Sequence, residues 1–180
     1  MLVKAKFDIS RIDSDYYEHF SQALAYDASF APSYFIQKLL ALAMLHHNNI
    51  QVSPNCHSGD QPELFVRRNQ FHYEHWFNVG SLELSTLEKA EAKSDHVWWF
   101  YCESDDNSRI LSKINKHPKL QMVELESNLE KGLAESIEKN IAWTILVDQD
   151  ELTVATEHEF YQSRFQIHHP LTIPMVDLIH

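Results

Sequence analysis

Val3, Ala5, Phe7 and Ile9 alternate with Lys4, Lys6 and Asp8, the period-two pattern of a strand with one buried face. Tyr16 to Ala25 continues as a second strand, and Asp13-Ser14-Asp15 between the two runs predicts a hairpin turn. From Pro32 the pattern changes. SYFIQKLLALAMLHHNN is apolar around most of its circumference, which predicts one long, largely buried helix with Pro32 at its start. His46-His47 and Asn48-Asn49 fall at its end, where imidazoles are expected to meet the free carbonyls.

Beyond Ile50 to Ser53 lies a loop, then a strand expected from Leu64 to Arg68. YEHWFNV, Tyr73 to Val79, forms the next strand and Gly80 stops it. Leu84 to Ser94 reads as a helix, and HVWWFY, His96 to Tyr101, as a strand buried on both faces. A helix around Arg109 to Lys116 precedes a strand from Leu120 to Leu125, and a further helix spans roughly Asn128 to Asn140. AWTILV and ELTVAT meet across Gln149-Asp150 as a hairpin, and Tyr161 to His168 gives the last strand. Helices alternating with strands in the middle and a hairpin at each end predict a single α/β domain, a mixed sheet flanked by helices. No internal repeat and no domain boundary interrupts it.

Composition narrows the functional classes. A chain of 180 residues with 44% apolar side chains is large enough for one sizeable core. Fifteen basic residues against 26 acidic ones leave a formal charge of −11, which works against an indiscriminate grip on nucleic acid. Cys56 and Cys102 make neither a metal-ligand pair nor a disulfide framework and are expected to be reduced thiols. The N-terminus lacks a signal-peptide core, and no run approaches the ~18 apolar residues of a membrane helix, so a cytoplasmic protein is expected. The twelve histidines lack the spacing of a helical metal pair. Their expected effect is a net charge that depends strongly on pH.

Candidate chemistry centres on GDQPELF, Gly59 to Phe65, where a proline and a carboxylate stand together before an apolar residue. PELF, then HWFNVG, then LEKA resemble the Pro-Asp-Leu-Trp, Trp-Ile-Glu-Leu-Gly and Lys-Ala blocks of the YaeQ family, a bacterial family of unassigned biochemical function. The likeness extends more weakly to DYYEHFSQALA, KLLALA and AWTILVDQDELTV. It covers residues 1–170 and leaves Leu171 to His180 as a C-terminal tail. The resemblance implies a variant of the restriction-endonuclease-like fold with a relative of the PD-(D/E)XK site.

Such a site holds Mg²⁺ between two carboxylates on neighbouring strands and places a lysine near the phosphate. By the resemblance, Glu63 takes the place of the first acid, one methylene longer than the family's usual Asp. Asn78 stands at the second metal position, where the family has Glu, and brings no charge. Ser33 likewise replaces an acid early in the long helix. Glu74 shares a strand face with Asn78 but lies about 13 Å from it, too far to share one ion. Asp60 remains within reach if the loop folds back. Lys89 matches the family lysine, yet at ~100° per residue it points nearly opposite the face of Leu84, Leu87 and Ala90. Arg67 and Arg68 are the nearest basic residues and are candidates for contact with a phosphate. The other reading of this pair is a strand edge guarded by charge.

Two functional readings follow. The favoured one is a degenerate, non-catalytic nuclease-type fold acting as a binding or regulatory module, because Asn78 and Ser33 replace acids. The other is a Mg²⁺-dependent phosphodiesterase on nucleic acid. Nucleic acid and a protein partner both stay open, as does the oligomeric state; no membrane association is expected.

Overall fold

The computed structural model describes residues 1–54 and 59–170. Cys56 and the tail Leu171 to His180 lie outside the described residues.

The first two strands, β1 (Leu2–Arg11) and β2 (Tyr16–Ala25), pair antiparallel along their whole length. In β1 the residues Val3, Ala5, Phe7 and Ile9 are all buried, as the alternation requires. A 3₁₀ turn at Ile12–Ser14 joins them, closed by Asp15 at φ 49°, a conformation that Asp tolerates better than most residues. Then α1 (Pro32–Met44) enters the interior, and every residue from Phe35 to Met44 is buried.

The remaining elements are β3 (Gln51–Val52), β4 (Leu64–Arg67), β5 (Tyr73–Val79), α2 (Leu84–Lys93), β6 (Ser94–Cys102), α3 (Ser108–Leu111), β7 (Leu120–Leu125), α4 (Ser127–Glu135), β8 (Asn140–Asp148), β9 (Glu151–Ala155) and β10 (Phe160–His168). All ten strands form one mixed sheet in the order β2-β1-β8-β9-β10-β7-β6-β5-β4-β3. Strands β5, β6 and β7 run parallel to one another, and β1 runs parallel to β8. β10 joins the two wings: Phe160 to Arg164 pair with β9 and Phe165 to His168 with β7. The sheet curves round α1, which contacts β1 and β8 on one wing and β5 and β6 on the other. One core cluster therefore includes residues of α1, both wings and α4. A second cluster, Trp76, Trp99, Tyr101, Leu87, Ala90 and neighbours, fills the opposite face beneath α2. That double cover explains why β6 is an unbroken apolar run while β8 and β9 alternate.

Several element boundaries differ from the sequence pattern. The long helix ends at Met44, not at Asn49. Its terminal carbonyls are met by Arg11, which donates to Met44 O at 3.3 Å and His46 O at 3.4 Å, so the expected histidine cap is replaced by a guanidinium from β1. The helix expected around Arg109 to Lys116 is split into α3 and a 3₁₀ turn at Ile114–Lys116. The helix expected to reach Asn140 stops at Glu135, because Asn140 already pairs with Lys4 as β8 joins β1. The strand after GDQPELF ends at Arg67, one residue early. Among the described residues no helix is long and apolar enough to cross a membrane.

Arg11 is 5% exposed and its guanidinium also lies over the Tyr16 ring, 3.9 Å from the centroid. Arg11→Met keeps most of the buried stem but strips two carbonyls of their donor. A loss of about 1–2 kcal/mol in urea unfolding is expected. An unchanged midpoint would show that water replaces the guanidinium without cost.

Candidate functional site

The carboxyl ends of the parallel strands β5, β6 and β7 carry Val79, Cys102 and Leu125. In open α/β sheets ligand crevices form outside such strand ends. Here the N-terminal half of α1 packs there and brings polar side chains into an otherwise apolar core. Gln37 and Lys38 are 1% and 4% exposed.

Glu63 stands just before β4. Since Leu64 pairs with Phe77, Glu63 lies beside Asn78. The Glu63 N–H is shared between Phe77 O and Asn78 Oδ1, both at 2.9 Å. The carboxylate turns towards α1, where Lys38 Nζ donates to Glu63 Oε2 at 2.8 Å. The two side chains are 5% and 8% exposed, which makes this a buried ion pair. Charge desolvation at that depth is offset only when both partners are present. Tyr34, one turn before Lys38, lies beside the pair. Burial raises its phenol above the ordinary value, and the negative charges of Asp105 and Glu63 add to that. A cavity of about 20 Å³ adjoins the pair, lined by Tyr26, Asp27, Phe30, Tyr34, Lys38 and Glu63 among others. That is room for about one water.

A second polar group adjoins the first. Gln37 Nε2 donates to Asp105 Oδ2 at 3.1 Å and to Glu130 Oε2 at 2.8 Å. Burial holds the Glu130 carboxyl above its usual range; Gln37 opposes the shift and the Asp105 charge reinforces it. Asp105 Oδ2 also accepts from the Cys102 N–H at 2.9 Å, which fixes the loop after β6. Cys102 is free and buried, and burial raises its thiol. Sequence reasoning missed Gln37, Lys38, Asp105 and Glu130. The available signal was the adjacent Gln-Lys pair inside FIQKLLALAM, two polar residues in a run that offers no solvent-facing side.

The residues singled out in the sequence separate in space. Glu63 and Asn78 meet, though through the backbone N–H of Glu63. The lysine that faces Glu63 is Lys38, from α1. Lys89 lies on α2 and pairs with the exposed Asp60. Hydrogen bonding and charge from Lys89 lower the Asp60 carboxyl. In α2, Leu87 and Ala90 are buried as expected while Leu84 is 43% exposed. Arg67 and Arg68 lie at the other end of β4. Arg67 stacks over Phe65 and Tyr73, 5.1 and 4.7 Å from the ring centroids, and Arg68 pairs with Asp95 at 2.7 Å. Trp76 is wholly buried in the second core cluster. Among the described residues no three His, Cys, Asp or Glu side chains gather to hold a metal ion.

A model of the YaeQ protein family matches residues 1–165 of the chain. Solved structures of two YaeQ proteins are among those that share its fold. The YaeQ protein from Xanthomonas axonopodis pv. citri is 18% identical, with a TM-score of 0.87 over 94% of this chain and 98% of that one. The YaeQ protein from Pseudomonas syringae is 16% identical, with a TM-score of 0.84 over 92% of this chain and 94% of that one. At such identities the likeness concerns the fold. A comparison with curated proteins gave no match.

Proposed function

The chain belongs to the YaeQ family, and from that premise we propose that it is a restriction-endonuclease-like fold whose metal position has become a buried ion pair, retained as a binding or regulatory module. The observation that carries this reading is the 2.8 Å contact between Lys38 Nζ and Glu63 Oε2, both nearly excluded from solvent. Glu63 holds the position where a PD-(D/E)XK site keeps its first carboxylate. Its negative charge is met by an ammonium from α1.

The side chains present do not suit Mg²⁺. That ion wants oxygen ligands in octahedral array and keeps several waters. Beside Glu63 the cavity has a volume of about 20 Å³, room for about one water. The Asn78 oxygen is engaged by the Glu63 N–H at 2.9 Å.

The test compares Mn²⁺ binding by calorimetry in the wild type, Asn78→Glu, and Asn78→Glu combined with Lys38→Met. Neither the wild type nor the single variant is expected to bind, because Lys38 still occupies the carboxylate. The double variant is expected to bind, since it restores a second acid and removes the ammonium. Wild-type binding together with Mn²⁺-dependent plasmid nicking lost in Glu63→Ala would replace this reading with a phosphodiesterase. Absence of binding in all three would limit the inheritance to the fold.

A further inference from the structure

Two histidines are core residues, and both bear on the connection between α1 and β3, residues 45–50. His46 belongs to that connection and is 7% exposed. Its ring stacks on Phe20 of β2, with centroids 3.8 Å apart and planes at 22°. Its Nδ1 lies 2.7 Å from the Tyr16 hydroxyl, also on β2. The next residue, His47, stands 6.5 Å from the ring of His75 on β5. His75 is 3% exposed and stacks on His96 of β6 at 5.0 Å. The connection is thus pinned to one wing of the sheet by His46 and lies against the other through His47.

The contacts of His75 require a neutral ring. The Trp98 indole N–H donates to His75 Nδ1 at 3.2 Å. An indole nitrogen can only donate, so that Nδ1 must keep its lone pair. A proton added there would set two N–H groups against each other. For His46, the Arg11 guanidinium that binds its carbonyl brings positive charge nearby.

The surrounding charges agree with this. Burial is the largest influence on His46; Glu18 favours its protonated form, while Arg11 and His47 add to burial, and the result is about 4. His75 faces His96, His47 and Arg68, which oppose protonation, and Asp95, which favours it; burial again dominates and the result is about 4. His96 is lowered as well, by burial first, with Asp95 and Glu74 acting against Arg68 and Lys119.

We propose that the α1–β3 connection is an acid-released latch, fastened to β2 by His46 and held against β5 at His75, which comes free when the two buried imidazoles take up protons. The direction follows from linkage. Below the ordinary histidine value of 6.5 the released form, in which His46 leaves its site and His75 loses its His47 neighbour, binds protons that the closed form refuses, down to about 4. The closed form is fully favoured above 6.5 and loses ground as pH falls through that window. Release stays local because β3 is a two-residue edge strand held by two register pairs, whereas β5, β6 and β7 share long ladders. The Ser53 N–H donates to Glu63 O at 3.0 Å, so a freed β3 loosens the strand edge beside Glu63. That consequence rests on the reading of Glu63 given above; the latch itself does not.

Hydrogen exchange on the full chain near pH 7 and near pH 5, corrected for intrinsic rates, tests the latch independently of any metal binding. Residues 45–52 are expected to lose about tenfold or more in protection relative to β6 and β7 on acidification. In His46→Gln/His75→Gln that pH-dependent difference is expected to vanish. If the double variant does not fold, ring-proton NMR titration of the wild type decides: both imidazoles staying neutral to well below pH 6 supports the latch. Titration of either near its ordinary value overturns it, as does equal loss of protection in β6 and β7, or a pH-dependent loss that survives in a folded double variant.

Discussion

Lys38→Met is expected to lower the free energy of unfolding by about 3–5 kcal/mol, read from the urea midpoint at neutral pH. The side chains of Lys38 and Glu63 are 5% and 8% exposed, so the substitution leaves a carboxylate buried without its ammonium. Methionine nearly matches the lysine stem in volume, which keeps a cavity from being the cause. The companion experiment is Lys38→Met with Glu63→Leu. Removing both charges removes both desolvation costs, and most of the loss should be recovered. A double variant as unstable as the single one would show that Lys38 acts through its stem and not through the ion pair. The cycle matters for function as well, because the proposed loss of the metal position stands on this pair.

Gly80→Ala is expected to destabilise by about 2–3 kcal/mol, the next largest effect. Gly80 ends β5 at φ +83°, a region that costs an L-residue roughly 1–2 kcal/mol. A Cβ there would also fall inside contact distance of the Tyr34 ring. The backbone has little freedom to relax: the Gly80 N–H donates to Phe100 O at 2.8 Å, and its carbonyl accepts from Trp99 Nε1 at 2.8 Å. Displacing Tyr34 disturbs the cavity beside Glu63, so near-ultraviolet circular dichroism should change along with the midpoint. A midpoint shift below about 0.5 kcal/mol would mean that the strand end adapts.

Legibility in the sequence followed the range of the forces involved. YEHWFNV and Leu120 to Leu125 were read to the residue, since period and bounding turns are local properties. The end of α1 was not, because the group that meets its carbonyls is Arg11, more than thirty residues earlier. The same holds for α4, cut short where β1 claims Asn140. At the site, Glu63 and Asn78 were expected together only through the family resemblance, and the antiparallel pairing of β4 with β5 sets them side by side. Lys38 was not expected there: it reaches Glu63 only because the sheet curves round α1.

The sequence by itself determined the α/β class, the alternation that gives each outer strand one buried face, the apolar character of α1 and an uncharged amide at Asn78. These are matters of side-chain type and spacing, and neither depends on where the chain goes next. Only the tertiary structure decided which lysine faces Glu63, which carboxylates gather on Gln37, and which histidines are sealed from water. Each of those pairings joins elements distant in the chain. Their energies depend on burial, and burial is a property of the folded whole.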